Sequence, residues 1–103
     1  MENIQIIETV EFRTTNGVTP EQVAAAQDGI QAFLATRDGF IARTLSQGED
    51  GTWLDHVVWA NRAAAQSASE ALMRAPEAGA FLALIDLEIV KMSHAPMVSR
   101  QVA

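Results

Sequence analysis

Apolar and polar residues alternate from Ile4 to Arg13. Ile4, Ile6, Val10 and Phe12 share one face, interrupted by Glu8, while Gln5, Ile7, Thr9, Glu11 and Arg13 share the other. A period of two predicts a strand. Thr14-Thr15-Asn16-Gly17 reads as a turn, and the period then changes. Val23, Ala26, Ile30, Phe33 and Leu34 recur at helical spacing. Thr19 is placed to cap that helix, Pro20 to occupy its first position and Gln22 to complete a capping box. Gly39 is expected to end it in the left-handed conformation. Phe40 to Ser46 and Trp53 to Ala60 predict two strands joined by a hairpin through the turn formers Gln47 to Thr52. A symmetric loop pairs Leu45 with Leu54, Arg43 with His56, Ile41 with Val58 and Phe40 with Trp59. Asn61 caps a second helix, whose stripe of Ala64, Ala65, Ala68, Ala71 and Leu72 is small enough to lie close to a sheet. Pro76-Glu77 breaks the pattern and opens a short helix through Phe81 and Leu84, stopped at Asp86. Leu87 to His94 predicts the last strand, with Ala95-Pro96 as its stop.

The order is βαββαβ. It implies an α+β, ferredoxin-like fold: a four-stranded antiparallel sheet with two main helices on one face, in one domain over residues 1–103. The first and third strands are expected in the centre, adjacent and parallel. Phe40, Val57 and Trp59 are expected on the face without helices, where they would form an exposed apolar patch. A homodimer through that sheet face, a dimeric α/β barrel, would cover it. The tail Val98 to Ala103 reads as a loose end or an arm across the partner.

The chain's charge narrows the partners. Its formal net charge is −6 and it has no basic run, which argues against nucleic acid and anionic membranes. It has no cysteine, which excludes disulfides, thiolate metal sites and cysteine nucleophiles. With two histidines at neither HxH nor HxxxH spacing, no metal ligand set is expected, and no cofactor site is recognised. The longest apolar stretch, Ala78 to Ile85, is too short to span a bilayer. The acidic start Met1-Glu2-Asn3 carries no signal-peptide features, so a cytoplasmic location is expected.

Polar residues inside apolar strands are the candidates for chemistry. His56 lies among Leu54, Val57 and Val58 and is the side chain best suited to move protons near neutral pH. Glu8 interrupts its apolar stripe in the same way, placed to orient His56 or to act as a base. Arg43, paired with His56 in the expected hairpin, would bind an oxyanion or carboxylate. These three are the expected catalytic group, and the competing reading is a self-satisfied polar cluster at the dimer interface. Trp59, Phe33 and His94 are the expected substrate contacts, against a plain packing role for Trp59 and a solvated one for His94.

The strand Trp53-Leu54-Asp55-His56-Val57-Val58-Trp59 leads into a capped helix. The Ala75-Pro76-Glu77 break precedes Phe81, and Val90-Lys91-Met92-Ser93-His94 follows. On these features, from about Ile4 to Val98, the chain resembles the antibiotic-biosynthesis-monooxygenase-like (ABM) domains of the dimeric α/β-barrel superfamily. The resemblance implies a pocket between sheet and helices, and a dimer. Some members of that family oxidise polyketide anthrones without metal or flavin, and others degrade haem with an asparagine, a tryptophan and a histidine on the second helix. Here that helix offers Ser67, Ser69 and Glu70 without histidine, and the chain has no tyrosine. The expectation is a cofactor-independent monooxygenase, or a related isomerase or cyclase, acting on a small aromatic or polyketide-like compound. The alternative is a non-catalytic dimeric module of the same fold that binds a small molecule or regulates.

Overall fold

The capping box forms as its residues predict. In the computed structural model, which describes residues 4–103, the Thr19 hydroxyl accepts from the Gln22 backbone N–H at 3.2 Å and the Gln22 side chain accepts from the Thr19 N–H at 2.8 Å. (The segment Met1-Glu2-Asn3, read above for a leader, lies outside the described residues.) The helix that starts there is not continuous. It runs as α1, Pro20–Ala25, and α2, Gln27–Ala35. The Gln27 side-chain amide donates to the Val23 carbonyl at 2.8 Å. An unbroken helix would reserve that acceptor for the Gln27 backbone N–H, so the inserted side chain accounts for the break. Helix α2 ends at Ala35, and Gly39 takes φ +82° in the turn beyond it, not as the helix cap.

Strands β1 (Ile6–Phe12), β2 (Phe40–Gln47), β3 (Trp53–Trp59) and β4 (Lys91–Pro96) form one sheet in the order β2-β3-β1-β4. Every neighbouring pair is antiparallel. The expected parallel β1–β3 pair is therefore corrected. The crossover after β1 returns β2 in the same direction, and the hairpin then reverses β3. The hairpin register also differs from expectation. Phe40 faces Trp59, but Ala42 faces Val58, Arg43 faces Val57, Thr44 faces His56 and Leu45 faces Asp55. A bulge at Ile41 absorbs the extra residue.

Helix α3, Arg62–Leu72, starts at the expected cap, where Asn61 Oδ1 accepts from the Ala64 N–H at 2.8 Å. Its Ala65 and Ala68 are buried against the sheet. A 3-10 turn at Pro76–Ala78 leads into the single turn α4, Gly79–Leu82. The last strand starts later than expected. Leu87–Ile89 is a 3-10 turn capped by Asp86, and Pro96 lies inside β4, where an edge strand tolerates it.

The two sheet faces are opposite to the sequence expectation. Trp59, Val57, Ile6 and Phe12 are buried with Val23, Ile30, Phe33, Leu34 and Phe81 under the helices. Phe40 packs against the same core. These residues need no second chain to cover them. The face without helices carries three cross-strand rows instead. Ala95, Ile7, Val58 and Ala42 form an apolar row; Ser93, Thr9, His56 and Thr44 a polar one; Lys91, Glu11, Leu54 and Ser46 a mixed one. Among the described residues no helix is long and apolar enough to cross a membrane.

Candidate active site

Between the inner sheet face and helices α2, α3 and α4 lies a cavity of about 230 Å³. Its walls are mostly apolar, with Phe12, Ile30, Phe33, Val57, Phe81 and Val90 among them. Met73, Leu87 and Met92 also line it while remaining more than half exposed, so they form its lip. Four polar side chains reach the wall: Glu8, Ser69, Arg43 and Asp55.

Glu8 is 7% exposed and owes its position to the inward parity of β1. Trp59 lies diagonally across on β3, and its indole N–H donates to Glu8 Oε1 at 2.9 Å. Ser69, on α3 above, donates to Oε2 at 3.4 Å. His94 lies directly opposite Glu8 on β4, with Nε2 3.4 Å from Oε2. Nε2 itself is buried and has no hydrogen-bond partner among the described residues.

The second polar group is built on Arg43. Its Nε and Nη2 donate to the two carboxylate oxygens of Asp55 at 2.9 and 2.7 Å. Nη1 donates to Gln27 Oε1 at 2.7 Å. The pair is buried, with side chains 8% and 11% exposed, and the guanidinium lies 5.5 Å from the centre of the Phe81 ring. A planar fork held on two sides and stacked on a third is fixed in position. Arg43 also borders an open groove of about 480 Å³ lined by Gln27, Gln31 and Trp53.

The expected group of His56, Glu8 and Arg43 is not assembled. His56 pairs with Thr9 and Thr44, so it projects from the outer face, exposed, away from the cavity. One residue of register separates Thr9 from Glu8, and period two puts them on opposite faces. Glu8 and Arg43 do share the cavity, and Phe33 lines it. Trp59 is 1% exposed, packed edge to face on Phe40 at 5.8 Å and committed through its N–H to Glu8, so it supports the carboxylate and offers no face for stacking. His94 comes to Glu8, at the position expected of His56.

Sequence reasoning missed Asp55, Gln27 and Ser69. Asp55 carried a readable signal: it shares the parity of Trp53, Val57 and Trp59, a charge on an inward stripe, as Glu8 is. Gln27 and Ser69 carried none, because exposed helix faces are full of such residues. Among the described residues no three His, Cys, Asp or Glu side chains group to hold a metal ion. The site can therefore supply a proton acceptor at one point of an apolar chamber and a fixed guanidinium at another.

No protein-family model matches the sequence, and neither does any curated protein. Solved structures do match in fold. SnoaB, a cofactor-independent oxygenase from Streptomyces nogalater, is 22% identical with a TM-score of 0.67, over 96% of each chain. A monooxygenase from the gene ActVA-Orf6 of Streptomyces coelicolor, solved with Nanaomycin D, is 18% identical with a TM-score of 0.68, over 98% of this chain and 94% of that one. A dimeric ferredoxin-like protein of unknown function from Thermobifida fusca is 12% identical with a TM-score of 0.67, over 93% of each. The fold shared with these structures is ferredoxin-like, a four-stranded antiparallel sheet with helices on one face.

Proposed function

We propose that this protein is a cofactor-independent monooxygenase for a small aromatic or polyketide-like carbon acid, with Glu8 as the base. The observation that carries the reading is a buried carboxylate on the wall of an apolar cavity, its Oε1 held by the Trp59 indole. Such a group accepts a proton from a substrate methylene whose carbanion is spread over adjoining rings. The electron-rich carbanion reacts with dioxygen, the peroxide formed takes a proton, and loss of water leaves a carbonyl. The overall change is R₂CH₂ + O₂ → R₂C=O + H₂O. Arg43 uses three of its N–H bonds on Asp55 and Gln27. A guanidinium has five, so two remain to hold a substrate oxygen as its negative charge grows. The oxygenase and monooxygenase among the structural neighbours support the same chemistry.

The protein is proposed to work as a homodimer joined through the outer sheet face, as the dimeric neighbour supports. The apolar row Ala95, Ile7, Val58 and Ala42 is the surface a second copy would cover.

The test is aerobic turnover of a dihydroxyanthrone, followed by oxygen uptake and by the absorbance of the quinone product. Glu8→Gln keeps an acceptor for the Trp59 N–H and is expected to lower kcat at least about 100-fold, the usual range for a lost general base. Arg43→Lys is expected to lower kcat more than it changes KM, because the lost contact strengthens as the charge develops. If the anthrone binds but neither form consumes oxygen, the binding-module alternative stands in its place.

A further inference from the structure

Glu8 has a proton problem. A base that accepts a substrate proton must release it before the next turnover, and this carboxylate is 7% exposed. The Trp59 indole cannot carry a proton away, since it is a donor only. His94 stands where a carrier is needed. It faces Glu8 across the β1–β4 ladder, Nε2 lies 3.4 Å from Oε2, and the ring is 26% exposed. One end of the imidazole is at the carboxylate and the rest reaches toward solvent. Nε2 is buried without a hydrogen bond among the described residues. Leaving such an atom unpaired is costly unless another state of the site pairs it.

We propose that His94 is the proton shuttle between Glu8 and water, and that the state which pairs Nε2 is the one with Glu8 protonated. This rests on the reading of Glu8 as the base. The neutral imidazole, with its Nε2 lone pair toward Glu8, accepts the proton from Oε2. The imidazolium formed then loses one proton to water, and exchange between the ring nitrogens through solvent resets the tautomer. The proton released here is matched by the one the peroxide takes up, so a full turnover releases none net, and no electrons move in the shuttle. With Glu8 protonated, the Oε2 hydroxyl donates to the Nε2 lone pair, and the 3.4 Å contact shortens. His94 does not touch the cavity wall, so it acts through Glu8 and is a positioning residue.

The experiment isolates proton transfer from oxygen chemistry. A dihydroxyanthrone is held with the protein under nitrogen in deuterium oxide, and loss of its methylene proton signal is followed by NMR above the buffer rate. The wild-type protein is expected to catalyse exchange at a rate indifferent to added imidazole. His94→Gln is expected to slow exchange at least tenfold with the anthrone bound as tightly, and imidazole is expected to restore the rate in proportion to its concentration. His94→Asn carries the same test if the glutamine variant does not fold. Unslowed exchange in the variant overturns the shuttle and leaves Glu8 as base. So does slowing that imidazole does not reverse, or a wild-type rate that rises with imidazole. No exchange by the wild-type protein overturns the shuttle, and if oxygen uptake is absent as well the base assignment falls with it.

Discussion

Trp59 is 1% exposed and donates to a buried carboxylate, so two energies depend on one side chain. Trp59→Ala should lose about 3–5 kcal/mol of stability in urea unfolding, the usual cost of removing a large buried aromatic. Trp59→Phe retains most of the ring but leaves Glu8 Oε1 without its donor. A hydrogen bond to a charged group contributes about 1.5–3 kcal/mol, so this variant should fall between alanine and wild type. A Trp59→Ala loss under about 0.5 kcal/mol, the range of surface substitutions, would contradict the burial. Arg43 and Asp55 are coupled more tightly. Arg43→Leu strands a buried carboxylate and should lose about 3–5 kcal/mol, whereas replacing both partners with apolar residues should recover much of that loss. Denaturation of the single and double variants measures the difference. At this scale the sequence was legible where charge broke an apolar stripe, as at Glu8 and Asp55. It was not legible which polar atoms would meet, since Glu8 and its partners Trp59, Ser69 and His94 lie far apart along the chain.

Elements close on one another through two glycines. Gly29 lies within α2, where alanine would ordinarily stabilise a helix by about 1 kcal/mol. Here a Cβ would stand 2.0 Å from the Glu77 carbonyl oxygen. Gly29→Ala should therefore lower the thermal midpoint, against helix propensity, by a loss of about 1–3 kcal/mol. Gly39 combines φ +82° with a Cβ position 2.6 Å from the Ala64 Cβ, so the turn into β2 and the approach of α3 both require it. The hairpin loop responds to pH. The Thr52 backbone N–H on Asp50 is the main influence holding that carboxyl below its ordinary value of 3.8, against a smaller opposing effect of burial. Its stabilising contribution is complete above that value and disappears as pH falls through the lower value in the folded loop. Amide exchange at Thr52 should quicken over that interval. The caps at Thr19 and Asn61 were legible because a cap involves residues three apart. The bulge at Ile41 was not, because it arises from fitting β2 to β3 over their whole length.

The whole molecule presents one sheet face to its helices and leaves the other bare. Light scattering at micromolar concentration should give twice the chain mass, and a monomer there would sink the proposed dimer. Val58→Glu puts a charge into the middle of the apolar row, between Ile7 and Ala42, and should yield a monomer with its cavity and Trp59 environment unchanged. His56 stands in the next row, exposed on the same face. Its replacement should change association before it changes turnover.

The strand order along the chain, the N-caps at Thr19 and Asn61 and the inward stripe of β1 were set by the sequence alone, because each is decided by residues within a turn or two of one another. Tertiary structure decided which histidine reaches Glu8 and which sheet face is covered. Both depend on how one strand is shifted against another, and that shift comes from loops, a bulge and packing along the full sheet. Side chains alternate with period two, so a shift of one residue moves a histidine from the cavity to the bare face. That is why His94, and not His56, stands beside the buried carboxylate.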